Sequence, residues 1–219
     1  MTLKLYGHPF SSYHQKALIA FYENDVPFEF VMLDGSEPAN SDFGALWPIR
    51  RFPLLVDGDR PVPEATMIIE YLDVHYPGPM RLIPADPDAA IEVRLLDRFF
   101  DNYVMTPVQK IVGNALRSEE ARDAQGVKEA RAQLDTSYEV LDRWMAAREW
   151  VAGGAFSLAD CAAAPALLYA DWAHAIPHEL AYVHAYRARL LARPSYARAL
   201  DEARPYRHYF PLGAPEGRD

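Results

Sequence analysis

Two side chains and one short run of backbone have the types and spacing to hold a small anionic ligand. Ser11 stands where an apolar strand-like run, closing at Gly7, gives way to a helical pattern, so its hydroxyl would lie near a helix N-terminus. Ser12-Tyr13-His14-Gln15 fits a capping box, with serine at the N-cap and glutamine at N3. That occupies Ser12 with backbone donors and leaves Ser11 open. Glu64 opens a second helix, whose apolar positions Met67, Ile68, Tyr71 and Leu72 recur at helical spacing. Between the two, Phe52-Pro53 precedes a short apolar strand. An extended anionic peptide could pair with that backbone and set a carboxylate on the N–H groups at 65 and 66, while Glu64 takes an ammonium.

Several elements must position these groups. Residues 2–6 read as a strand, 12–24 as a helix, and 27–33 as a second strand entered through Pro27. A β-α-β unit of this length implies parallel strands and a right-handed crossover. Residues 35–50 read as loop, with at most one helical turn over 43–47. The run 54–56 ends at Asp57-Gly58, a strong hairpin signal, and 61–63 is too short and proline-rich for anything but an edge strand. Pro77, Gly78, Pro79, Pro84 and Pro87 then read as a linker. From Asp88 onward every periodic segment is helical, over about 88–117, 123–148, 157–174, 179–192 and 195–203, and the tail 204–219 reads as irregular coil. The expected domains are therefore 1–78, α/β with the order βαβ-ββα, and 88–219, all helical.

Composition narrows the function. The chain has 219 residues, enough to bury a real core. Its net charge of −9 argues against nucleic acid or an anionic membrane as main partner. No 18-residue apolar run is present, and Met1-Thr2-Leu3-Lys4 enters a strand rather than a signal peptide, so a cytoplasmic protein is expected. The single Cys161 excludes an internal disulfide and a Cys-x-x-Cys redox pair. His174 and His178 are four apart, but Pro177 breaks the helix that would aim both at one ion, so no metal site is expected.

Four motifs, in this order and at these spacings, resemble the glutathione S-transferase family over essentially the whole chain: Gly7-His8-Pro9-Phe10-Ser11, Arg51-Phe52-Pro53-Leu54, Pro63-Glu64-Ala65-Thr66-Met67-Ile68, and Phe156-Ser157-Leu158-Ala159-Asp160. The likeness is to a serine-type bacterial member, with a thioredoxin-like N-terminal domain, an all-helical C-terminal domain and a homodimeric assembly. The implied reaction conjugates glutathione, as co-substrate, to a small hydrophobic electrophile, with no metal.

What the resemblance implies is carried over residue by residue. Ser11 is the catalytic hydroxyl that holds the thiol as thiolate, with Tyr6, at the end of the first strand, as the rival. Phe52 offers its N–H and C=O to the cysteinyl unit, Pro53 is cis, and Arg51 meets a carboxylate, while Arg50 is solvated. Glu64, Ala65 and Thr66 hold the γ-glutamyl end. Here the chain departs from the family, which usually has serine where Ala65 stands. A lost hydrogen bond to a charged group costs about 1.5–3 kcal/mol. A binding or interaction protein with weak or no glutathione activity is therefore the alternative to the enzyme.

The fourth motif is structural: Ser157 and Asp160 form a capping box, Phe156 and Cys161 a hydrophobic staple. Cys161 reads as a small core residue. A pocket for the electrophile is expected between the domains, with Phe10, Phe99, Tyr103, Met105, Trp172 and Tyr209 as its walls. Arg98, Asp101 and Asn102 read as a solvated helix face.

Overall fold

The computed structural model describes residues 2–219. Its chain forms two compact units: residues up to Ile83 together with Pro194–Arg204, and Pro84–Arg193 together with Pro205–Asp219. The segment at 194–204, which the sequence places with the helical domain, thus packs in the first unit.

In the first unit β1 (Leu3–Gly7), α1 (Ser12–Glu23), β2 (Phe28–Met32), α2 (Ala39–Leu46), β3 (Leu54–Asp57), β4 (Arg60–Pro63) and α3 (Ala65–His75) follow in order. The four strands lie in the order β2-β1-β3-β4. β1 runs parallel to β2, with Leu3 opposite Phe28, and antiparallel to β3, while β4 closes the edge as the partner of β3. Pro61 and Pro63 fall on that edge strand, where missing N–H groups do least harm. Gly58, at φ 59°, supplies the left-handed residue that the β3–β4 hairpin needs.

The eight residues of α2 stand where the sequence reads as loop. Asn40, Ser41, Asp42 and Gly44 are poor helix formers. Packing overrides them: Phe43 is buried in a cluster with Tyr6, Leu33, Leu54 and Val56, and Ala39, Leu46 and Trp47 close over it.

α9 (Pro194–Ala203) explains why α1 is buried nearly all round. Tyr22 donates its hydroxyl to Glu202 at 2.7 Å, Ser195 to Glu23, and Tyr196 to Gln15.

The second unit is helical: α4 (Pro87–Phe99), α5 (Thr106–Ala115), α6 (Ala124–Met145), α7 (Leu158–Ala173) and α8 (Ala181–Leu191). The stretch expected as one long helix is interrupted between α4 and α5 by a π-helix, Phe100–Met105. Pro107 has no N–H to give the Tyr103 carbonyl, and Ser137 of α6 supplies a hydroxyl to it at 2.8 Å. The tail expected as coil begins with a 3₁₀ stretch, Arg204–Tyr209. Within this unit Phe210 packs against Tyr169 and Trp172, and Arg218 pairs with Asp171 at 2.6 Å. Among the described residues no helix is long and apolar enough to cross a membrane.

Candidate functional site

The register of the sheet gathers three of the four motifs. Tyr6 of β1 lies opposite Leu54 of β3, and Leu54 lies opposite Pro63 of β4. One step beyond this row the chain reaches Gly7, Pro53 and Glu64. The turn to Ser11, the Phe52-Pro53 backbone and the start of α3 therefore meet at one end of the sheet. The Phe52–Pro53 bond is cis.

Ser11 occupies a different place in its helix from the one its sequence suggests. The N-cap of α1 is Ser11 itself, extended at φ −84° and ψ 125°, and its hydroxyl accepts the His14 N–H at 3.4 Å. Ser12 is the first helical residue. Gln15 is buried, and its amide donates to the Pro9 carbonyl at 2.9 Å instead of returning to an N-cap. The capping box expected at Ser12 is therefore absent, because the helix starts one residue earlier. A serine that accepts as a cap still has its own O–H to donate. It stands where the positive end of the helix dipole favours an anion.

His14 is the other consequence of this helix start. Its ring is buried, 1% exposed, and packs against the Gly7 backbone. A Cβ on Gly7 would come within 2.2 Å of His14 Nδ1, so only glycine fits there. Burial, reinforced by the neighbouring His8, pushes the His14 imidazole down to about 3, so it is neutral throughout the working range. His8 is lowered too, again by burial, with Asp34 pulling the other way. Its Nδ1 accepts the Phe10 N–H at 3.2 Å.

At α3, Glu64 is the N-cap in a left-handed conformation, φ 72° and ψ 122°, and its carboxylate makes no side-chain cap bond. A non-glycine residue there costs on the order of 1–3 kcal/mol. Its side chain is exposed. Ala65 is buried at 4%, and Thr66 Oγ1 accepts a hydrogen bond from Lys16 Nζ at 2.9 Å. Lys16 is 1% exposed. Nothing in the sequence singles it out: a lysine beside Ala17-Leu18-Ile19 reads as one that reaches for solvent. Arg51 and Arg50 are both exposed. Tyr6 is 7% exposed and stacks on Phe43 with centroids 6.2 Å apart, a core position.

The six residues expected to wall a pocket divide by exposure. Phe99, Met105 and Trp172 are buried, Phe10 is half-buried, and Tyr103 and Tyr209 are exposed. Trp172 is held under the tail by Phe210 and the Arg207 guanidinium, 4.9 Å from its ring. Arg98 and Asp101, expected on a solvated face, form an ion pair at 2.6 Å that also takes in the fully buried Asp97. A cavity of about 470 Å³ lies in the first unit, bounded by Leu18, Tyr22, Phe28, Phe30 and Arg198 among others. None of Ser11, Phe52, Glu64 or Thr66 lines it. Among the described residues no cluster of histidine, cysteine and carboxylate groups could hold a metal ion.

The fourth motif is a closed structural unit in the second unit. Asp160, fully buried, accepts Ser157 N–H at 2.9 Å, Ser157 O–H at 3.0 Å, Val151 N–H at 3.0 Å and Tyr186 O–H at 2.6 Å. The capping box read from the sequence is present, and Phe156 and Cys161 are both buried.

Comparison with known proteins agrees with this geometry. Residues 5–80 match the family description "Glutathione S-transferase, N-terminal domain", and residues 95–194 match "Glutathione S-transferase, C-terminal domain". Glutathione S-transferase 3 of Zea mays is 32% identical, over 90% of this chain and 93% of that protein. Glutathione S-transferase U10 of Arabidopsis thaliana is 30% identical over 63% of this chain, and this chain spans 56% of its length. A probable maleylacetoacetate isomerase of Vibrio cholerae is 27% identical, over 94% of this chain and 98% of that protein. Among solved structures, a glutathione S-transferase from Rhodospirillum rubrum F11 is 26% identical, covers 99% of this chain and 98% of its own, and superposes with a TM-score of 0.82. The fold is a thioredoxin-like domain with a helical partner, and the chain belongs to the glutathione S-transferase family.

Proposed function

We propose that the chain is a serine-type glutathione transferase of the bacterial kind, which conjugates the glutathione thiolate to small hydrophobic electrophiles. The observation that carries this reading is the row Tyr6–Leu54–Pro63, which sets Ser11, the Phe52-Pro53 backbone and Glu64 at one end of the sheet. Glutathione is an extended peptide with a zwitterionic γ-glutamyl end. Its cysteinyl backbone pairs with Phe52, its ammonium takes Glu64, its γ-glutamyl carboxylate takes the N–H groups of Ala65 and Thr66, and Arg51 meets a carboxylate. Ser11 then donates to the sulfur. Tyr6, packed on Phe43, is the weaker candidate for that donor.

Thiol activation is a modest part of the acceleration. A free thiol near pKa 8.5 is about 3% thiolate at pH 7. Lowering it by about 2 units raises that fraction about 25-fold and lowers intrinsic nucleophilicity about 8-fold, a net gain near threefold. Positioning of the electrophile supplies the rest. The relatives carry transferase and isomerase names, so the electrophile is stated here as a class only. A cytoplasmic homodimer is part of the same reading.

Ala65 favours a second reading, a binding or interaction protein of the same fold with weak or no glutathione activity. Calorimetric titration with glutathione, followed by turnover of an activated aryl halide, separates the two. Binding with turnover supports the enzyme, and binding without turnover supports the second reading. No binding overturns the enzyme and leaves the second reading.

A further inference from the structure

We propose that the cavity between α1, β2 and α9 is a second ligand site, shaped for a small aromatic cation. None of the residues placed around glutathione lines it, so it does not depend on that reading.

Three elements of the first unit supply its walls. His14, Leu18, Phe21, Tyr22 and Asp25 recur at helical spacing along α1 and just past its end. Phe28 and Phe30 share one face of the edge strand β2, while Glu29 between them turns the other way, to Lys4 at 3.7 Å. Arg198 and Glu202, one turn apart on α9, form the remaining side. The volume of about 470 Å³ falls in the range of small-molecule sites, about 300–1,000 Å³. Its rings pack on one another only in part. Phe21 and Phe28 lie 4.6 Å apart and His14 and Phe30 5.1 Å apart, yet Phe30 stays 40% exposed. A phenylalanine left open on a cavity wall offers a ring face for stacking, and ring faces attract cations.

The charges at the rim decide the sign of the ligand. Glu202 accepts the Tyr22 hydroxyl at 2.7 Å and Arg198 Nε at 3.3 Å. The Arg198 guanidinium also lies over the Tyr22 ring, 3.9 Å from its centroid. That cation is committed. Burial, and then the bond to Glu202, push the Tyr22 hydroxyl above its ordinary range, and His14 is neutral, so neither adds charge. Asp25 remains, an exposed carboxylate with no hydrogen bond or ion pair among the described residues. The fold has reasons to avoid it. Asp25 follows the C-cap of α1 at φ 48°, a left-handed place where glycine or asparagine is usual. Its charge also stands at the negative end of the helix dipole. A cation bound at the rim would offset that cost. Two carboxylates, one committed guanidinium and walls of rings match an aromatic ring that carries one ammonium.

The test titrates the full chain by calorimetry with three naphthalene probes: 1-naphthylmethylammonium, 1-naphthylmethanol and 1-naphthoate. The ammonium is expected to bind about fivefold tighter than the alcohol, and the carboxylate weakest. Asp25→Asn is expected to erase the preference for the ammonium. The same variant should raise the thermal midpoint of the free protein, because asparagine suits the left-handed position without the charge. Phe30→Ala is expected to weaken ammonium and alcohol alike, about fivefold. An ammonium that binds no tighter than the alcohol, or binding of none of the probes, overturns the proposal. So does a preference that survives Asp25→Asn, or a fall in thermal midpoint that makes Asp25 a structural residue. An ammonium indifferent to Phe30→Ala sits elsewhere and overturns it too.

Discussion

Helices α3 and α7 both begin with backbone N–H groups that lack partners inside the helix. At α7 the chain closes that end itself. Ser157 and Asp160 cap it reciprocally, and the same carboxylate takes Val151 N–H and Tyr186 O–H in a fully buried setting. At α3 the N-cap is Glu64, held at φ 72°, with an exposed carboxylate that makes no side-chain cap bond. The closed start spends its polar groups on the fold. The open start holds a strained backbone and an acid that the fold does not use as a cap. α1 is intermediate: Ser11 caps it through a long 3.4 Å contact and keeps a proton to give. The contrast separates a closed helix start from an open one built from nearly the same residue types.

The largest effect is expected where the end is closed. Asp160→Ala would leave four donors around a buried void, two from Ser157, one from Val151 and one from Tyr186. A lone helix cap is worth about 0.5–2 kcal/mol. Breaking a buried charged network costs about 3–5 kcal/mol, and that is the loss expected in denaturant unfolding. Glutathione affinity of the folded fraction should not change. A stable variant with impaired binding would erase the distinction between the two helix starts.

The acid side of the stability curve should report on His14. An unfolded histidine titrates near 6.5, and burial holds the folded one near 3, so the unfolded chain binds more protons between these values. His14's contribution is complete above about pH 6.5 and is lost as pH falls toward 3. Between pH 6.5 and 5 the loss amounts to about 2 kcal/mol. His14→Leu should flatten that limb in thermal unfolding, whatever it does to stability at pH 8. An unchanged slope would assign the acid limb to other groups.

Most of this architecture is legible in the residues. Short apolar runs, the Asp57-Gly58 hairpin and the proline-marked edge locate all four strands, and Ser157-x-x-Asp160 locates the closed cap. The failures share a cause, because each depends on what packs from far along the chain. α2 forms because Phe43 finds Tyr6, not because Asn40 or Gly44 favours helix. Ser12 has the local signature of a cap, yet Gln15 is drawn to the Pro9 carbonyl and Ser11 is the N-cap instead. Lys16 is buried with its ammonium on Thr66 of α3, fifty residues later, and no local pattern announces that. The π-helix lies where Pro107 leaves the Tyr103 carbonyl to a hydroxyl on α6.

A smaller effect is expected from making the open start more closed. Ala65→Ser adds a hydroxyl at the first residue of α3, where serine costs little in propensity. Its bond to a ligand carboxylate would be charge-assisted. Glutathione should bind about 5- to 50-fold tighter. Turnover should change much less, since the contact is equal in ground and transition states. An unchanged dissociation constant would mean that the carboxylate is not seated at α3.

The smallest of these effects, and the sharpest test of the intermediate helix start, is that of Ser11→Ala. The 3.4 Å cap contact is weak, so its removal should sit at the low end of the usual 0.5–2 kcal/mol. The other role, the one proposed for the hydroxyl, is to donate to sulfur. If that role lowers the thiol pKa by about 2 units, its loss should cost only about threefold in turnover at pH 7, because the fewer thiolates that remain are each more nucleophilic. Rate at one pH is thus a poor probe. The midpoint of the pH–rate profile should rise by up to about 2 units in the variant, while glutathione affinity, carried by the Phe52 backbone and Glu64, stays within a small factor. A midpoint that does not move would leave Ser11 as a cap and nothing more, and would shift the search for the thiol's donor to Tyr6.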